Sequence, residues 1–173
     1  MRASRLRGTL AIPVRMPLRV FALFFALFFA LSLSACEGLN PSKAVPQAPQ
    51  GWITIQGQRV ALEIAQTPEQ QSRGLAERDS LGWDRGMLFP YDEPGFPRFW
   101  MKGMRFDIDI VWIHGDRVVD ISHRVAHVPG ENGSIVAPRN LTDRVLEVPA
   151  GYAQSHGWRV GQRVVIELQS VQP

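Results

Sequence analysis

Trp100, Lys102, Asp107 and Asp109 fall within one largely apolar run, FWMKGMRFDIDIVWI, from Phe99 to Ile113. An indole offers a stacking surface, while an ammonium and carboxylates offer opposed hydrogen-bonding groups. A polar ligand needs a few such groups set in a mostly apolar wall. On extended chain, side chains alternate, so Trp100 and Lys102 share a side. By the same rule Asp107 and Asp109 lie opposite Phe106, Ile108, Ile110 and Trp112. Glu147, in the apolar segment LEVP, and Arg78, which follows a capped helix, complete the candidate set. Three readings stay open. Arg78, Trp100, Lys102, Asp109 and Glu147 form a ligand-binding wall for a sugar ring or a peptide carrying both charges. Alternatively, Lys102 and Asp109 are an ion pair that fixes strand register, with Trp100 in the core. In the third, Asp109 and Glu147 are an acid/base pair acting on glycans, which requires carboxyls about 5 to 9.5 Å apart across an open cleft.

Other chemistries find little support. Asp107 and Asp109 alternate on a strand, but a Ca²⁺ site takes about six to eight oxygens, and no acidic Gly-rich loop supplies the remainder. His114, His123, His127 and His156 form no HExxH motif and have no cysteine pair beside them, so they read as loop or surface residues. No GxSxG elbow, phosphate loop or dinucleotide fingerprint occurs. No catalytic residue, metal or cofactor is assigned.

The elements that position these residues are mostly strands. Trp52–Ile55 and Arg59–Ile64 flank Gln56-Gly57 as a hairpin. Thr67-Pro68-Glu69-Gln70 is a capping box opening a short helix that ends near Gly74. Leu88–Tyr91 and Arg98–Lys102 read as strands around a Pro/Gly loop, Asp92–Pro97. Arg105–Ile113 and Arg117–Val125 flank a turn at His114-Gly115-Asp116. Val145–Val148 and Arg163–Leu168 are later strands, with a helical turn within Ala150–Trp158. This pattern predicts a mainly β domain, a compact sandwich or barrel-like fold with one or two short helices.

The N-terminal region carries an address. Met1–Arg19 holds five arginines and no acid, and Val20–Leu33 is a run of fourteen apolar or small residues. That run is shorter than the ~20 residues a spanning helix needs and suits a secretory signal. It ends in Leu33-Ser34-Ala35-Cys36, which resembles a bacterial lipobox, and Cys36 is the only cysteine. The expectation is a removed signal at 1–35, a lipidated Cys36 with a Pro-rich tether at 36–50, and one globular domain at 51–173. Two or more acyl chains hold a protein stably at a membrane, so the chain is expected in the cell envelope, facing the periplasm. Glu37 rather than Asp after the cysteine favours the outer over the inner membrane. Removing 1–35 turns the net charge from +3 to −2, which argues against nucleic acid as a partner.

The segments Gln71-Ser72-Arg73-Gly74-Leu75 with Arg78, Gly86-Met87-Leu88-Phe89, Phe99-Trp100-Met101-Lys102, Asp107-Ile108-Asp109-Ile110 and Val145–Gly151 occur in this order. In order and spacing they resemble the bacterial domain-of-unknown-function family number 192, over roughly Val60–Leu168. The resemblance implies a compact, mostly β, often exported protein and implies no activity. Two departures stand out. Ala76 takes a place where members often have Met, and Gly103-Met104 replaces an Asn-Thr pair, so no role for that Asn carries over. The combined expectation is an envelope lipoprotein of non-catalytic binding or accessory function toward a glycan or peptide. The alternatives are a glycan hydrolase or lyase and a structural component of an envelope complex. Ligand identity and oligomeric state are not legible.

Overall fold

The computed structural model describes residues 48–169. The expected signal, Cys36 and most of the tether lie outside them. β1 (Gly51–Ile55) and β2 (Gln58–Ile64) form the first hairpin. The capping box is realised in α1 (Pro68–Arg73). The Thr67 hydroxyl accepts from the Gln70 N–H at 3.3 Å, and the Gln70 side-chain oxygen accepts from the Thr67 N–H at 3.0 Å. This helix buries none of its residues. It is held instead by the Gln71 amide, which donates to the carbonyls of Ala65 (3.2 Å) and Pro90 (3.0 Å).

β3 (Arg85–Gly95) is longer than the sequence suggests, with an irregular register between Pro90 and Gly95. The segment expected as a loop at Asp92–Pro97 is thus strand through Gly95. β4 (Phe99–Trp100) is shorter than expected and pairs only with β7 (Ile135–Val136), a strand the residue pattern did not signal. β5 (Ile108–His114), β6 (Arg117–Val125) and β8 (Thr142–Pro149) follow, then α2 (Tyr152–Ser155) and β9 (Val164–Leu168).

Seven strands make one sheet in the order β6-β5-β8-β3-β2-β1-β9. Its pairings are antiparallel except β2 with β3. A parallel pair needs a crossover, and the segment 65–84, with α1, provides it. Gly86 permits the tight approach of β3 to β8, because a Cβ there would lie 2.9 Å from the Glu147 carbonyl. The two ends of the order meet at one corner. Arg117 and Arg163 form a bridge, and the Val164 N–H donates to the Asp116 carbonyl at 2.8 Å. The result is a sheet curled into a half-barrel with two short helices, the mainly β, barrel-like class expected.

Both faces of the sheet are covered. One carries Ile53, Leu62, Val111, Ile113, Leu146 and Val148, with Tyr152, Ala153 and Trp158 packed on them. The other carries Met87, Phe89, Ile110, Trp112 and Val145, capped by Leu75, Met101 and Met104, with Phe99 packed on it. Phe99 meets Phe89 and Trp112 edge-on, at centroid distances of 4.9 and 5.6 Å. That edge-to-face geometry suits the ring quadrupoles, and it ties the small β4–β7 sheet to the large one.

Candidate functional site

A cleft of about 350 Å³ opens on the second face. Its floor includes Phe89, Leu75, Met104 and Glu147; Tyr91, Phe99 and Trp100 wall it, and Arg73, Arg98 and Lys102 contribute the cations. Trp100 is 53% exposed, and the Lys102 ammonium lies 5.6 Å from its ring centroid, a cation–π contact. Gly74 ends α1 with φ +52 and ψ −131, a conformation that favours glycine. A Cβ there would sit 3.4 Å from the Phe89 ring and 3.7 Å from Glu147 Oε2, so the bare backbone passes directly over the acid.

Glu147 is the unusual group. It is 6% exposed, and Oε2 has no hydrogen-bond partner among the described residues. Loss of solvation pushes its pKa up to about 8, with the Arg78 charge opposing in part. A buried carboxyl without a partner resists ionisation, so at neutral pH it is mainly a neutral acid, able to donate as well as accept. Burial, and Glu147 in its charged form, raise the pKa of Tyr91 across the cleft.

Trp100, Lys102 and Glu147, three of the five candidate residues, thus meet in the cleft. Arg78 lies close enough to act on Glu147, but its guanidinium is engaged elsewhere, donating twice to Glu63 at 2.8 Å. Arg78 is thus paired with Glu63, and Glu147 is left without a cation in direct contact among the described residues.

Asp109 is elsewhere, and this corrects the expected wall. It is fully buried and shares the face of Val111 and Ile113. Its register partner is Val148, whereas Glu147 pairs with Ile110, so the two carboxylates point to opposite faces of the sheet. Asp109 accepts from the N–H groups of Arg124 (2.8 Å), Gly151 (3.0 Å) and Ala153 (2.9 Å). It caps α2 from a distance, where Gly151 has no side chain to do so. A register irregularity between Ile108 and Ile110 sets His123 and Arg124 against Asp109 and aims the Arg124 N–H, at φ +47, onto the carboxylate. Asp109 makes no pair with Lys102, so the register-fixing ion pair does not form. The acid/base pair on glycans also lacks its geometry. Asp107, the other considered carboxylate, is held by His127, whose N–H donates to Oδ1 at 2.9 Å and whose Nδ1 lies 2.6 Å away. That contact holds the Asp107 pKa below its ordinary value.

Arg98 and Tyr91 were not singled out as site residues. Arg98 directly precedes the FWMK segment, a position that could have flagged it. Tyr91 carries no comparable local signal, because only the β3–β8 pairing turns it toward Glu147. A second hollow, of about 520 Å³, is lined by Ile64, Leu88, Val164 and Ile166 with Asp116 and Arg144. Its charges are engaged: Arg144 donates to the Gly115 carbonyl at 2.6 Å, and Asp116 lies 3.4 Å from Arg163. It therefore offers a ligand little unmet polarity.

A half-barrel with an aromatic, basic-rimmed cleft and an orphan buried acid defines the class of protein as far as architecture goes. The model of the domain-of-unknown-function family 192, described as an uncharacterized ACR, matches residues 51–166. The chain belongs to that family. Its fold is similar to the crystal structure of a protein of unknown function from Novosphingobium aromaticivorans DSM 12444, at 28% identity and a TM-score of 0.62. The likeness covers 72% of this chain and 94% of that one. A structure from Sinorhizobium meliloti 1021, described there as a candidate transcription regulator, is similar at 25% identity and a TM-score of 0.61. It covers 69% of this chain and 96% of that one. No curated protein matches.

Proposed function

We propose that the protein is an envelope-anchored lipoprotein whose domain binds a polar envelope ligand, a glycan or a peptide, in the cleft of Trp100, Lys102 and Glu147, without turning it over. The observation that carries this reading is Glu147. A carboxyl that is 6% exposed, with Oε2 unpartnered, lines an open cleft, and an unsatisfied buried polar group costs ~1–3 kcal/mol unless something pairs with it. A ligand entering between Trp100 and Tyr91 is positioned to do so. The separation of Asp109 from Glu147 supports binding over glycan hydrolysis. Lipidation at Cys36, the tether at 36–50 and the outer-membrane address remain part of the same proposal, resting on the signal-like N-terminus. The net charge of −2 over residues 36–173 argues against the transcription role described for the Sinorhizobium protein.

The test is titration of the purified protein with a panel of envelope glycans and peptides, read by tryptophan fluorescence. Trp100→Ala and Lys102→Ala run beside it, with melting temperature as the folding check. A hit weakened by about tenfold or more in folded variants supports the reading. A hit indifferent to both variants, or silence across the panel, removes it.

A further inference from the structure

The cleft is uneven in charge. Arg73 stands at the last turn of α1, Arg98 just before β4 and Lys102 just after it, and all three line the cleft. Among the described residues, no carboxylate lies within ion-pair distance of any of them. Their neighbours Arg78 and Arg105 are instead neutralised by Glu63 and Asp79, at 2.8 and 2.6 Å. Glu147 is the sole acid in the lining, and it sits at the floor. A ligand therefore meets uncompensated cations at the rim, ring faces on the walls and one orphan carboxyl at the bottom.

The floor group discriminates between ligand classes. A protonated carboxyl both donates and accepts, as does a sugar hydroxyl. A ligand ammonium is paired best by the charged carboxylate, which burial disfavours. The exposed face of Trp100 is a stacking platform for a ring. The volume, about 350 Å³, lies at the small end of the ~300–1,000 Å³ typical of ligand pockets, so it holds a ring or short segment.

We propose that the cleft takes a carboxylated sugar unit of a glycan, with its carboxylate at Arg73, Arg98 and Lys102, its ring on Trp100 and a hydroxyl on Glu147. This rests on the binding function proposed above and narrows its ligand to one chemical class. It also builds in a response to pH. The charged or titratable groups that share the cleft with Glu147 are Arg73 from α1, Tyr91 from β3, Arg98 before β4 and Lys102 after it, and Arg78 with its partner Glu63 acts on it from the crossover and β2. As pH rises through about 8, Glu147 becomes an anion beneath an anionic ligand, and binding weakens.

The experiment titrates the purified protein, by tryptophan fluorescence and calorimetry, with a glucuronate-containing oligosaccharide, its neutral glucose counterpart and a panel of envelope peptides. Titrations are done near neutral pH and again above the Glu147 transition. The acidic sugar should bind at least ~tenfold tighter than the neutral one, and the difference should shrink in salt. Arg98→Gln and Lys102→Gln should each weaken the acidic sugar about fivefold more than they weaken the neutral one. Glu147→Gln, which mimics the protonated form, should bind equally well at both pH values, while the unaltered protein binds about tenfold more weakly at the higher one. Melting temperatures confirm that each variant is folded.

Equal affinity for both sugars, lost in Trp100→Ala, would overturn the carboxylate assignment and leave the binding function standing. Preference for a peptide would do the same. Acidic-sugar binding untouched by Arg98→Gln and Lys102→Gln would also overturn it. Silence of both sugars and of the peptides alike would remove the binding function as well.

Discussion

Asp109 and Glu147 lie one register step apart on the adjacent strands β5 and β8, and they have opposite environments. Asp109 is enclosed by donors, and the N–H groups of Arg124, Gly151 and Ala153 all end on its two oxygens. Glu147 has Oε2 without a partner and faces a cleft. Both are buried acids in apolar strands, so composition cannot separate them. What separates them is whether the fold itself supplies the hydrogen bonds. A satisfied buried carboxylate organises structure. An unsatisfied one beside open volume is a candidate for pairing with a group from outside the chain, and its burial raises its pKa.

The sharpest way to break this contrast is Asp109→Ala. Three N–H groups, two of them in buried hydrogen bonds, would lose their acceptor and α2 would lose its cap, at a cost of about 3–5 kcal/mol. For a domain of this size that lowers Tm by more than ~10 °C. Thermal denaturation at neutral pH measures it, and a fall of only a degree or two would mean that Asp109 is not the structural acid.

Glu147→Gln should do the reverse, and its effect should depend on pH. The folded-state pKa of about 8 lies above the ordinary 4.5. Between these values the unfolded chain has released the proton and the folded chain keeps it. Stability of the unaltered protein therefore falls as pH rises across this window, by at most ~1.4 kcal/mol per pH unit from this group. It is fully retained below 4.5 and falls no further above about 8. The Gln variant lacks that slope, so the two proteins should match near pH 5 and the variant should be the more stable near pH 9. Denaturant unfolding across pH decides it, and parallel curves would show that Glu147 titrates normally.

The smallest effect on stability belongs to the rim. Lys102→Ala and Trp100→Ala remove exposed side chains with no ion pair, and each should shift stability by only about 0.5 kcal/mol while changing ligand binding. A loss of several kcal/mol in either variant would assign these residues to the architecture instead.

Much of the fold was readable along the chain because its signals are local. The alternation in β2, β5 and β6, the turn at Gly115 and the Thr67–Gln70 box each depend on neighbours a few residues apart. The aromatic and charged side chains of the Phe99–Ile113 run and the acid of the LEVP segment also led to three cleft residues, Trp100, Lys102 and Glu147. Alternation correctly put Asp109 with Val111 and Ile113, and Ile110 with Trp112. It could not say which of these faces borders the cleft, because both are covered by core.

The sequence by itself determined the mainly β class, the presence of one or two short helices and which residues share a side of each strand. Backbone sterics and period-two burial act over short stretches of chain, so these are written in neighbouring residues. Tertiary structure alone decided that β2 runs parallel to β3, that Arg78 meets Glu63 rather than Glu147, and that a two-residue β7 completes the rim of the cleft. It also decided the fate of the two acids. The donors to Asp109 come from 15, 42 and 44 positions away, and Glu147 stays unsatisfied because the packing that buries it brings none. Solvation and hydrogen bonding of a buried charge depend on everything folded around it, and no local pattern contains that information.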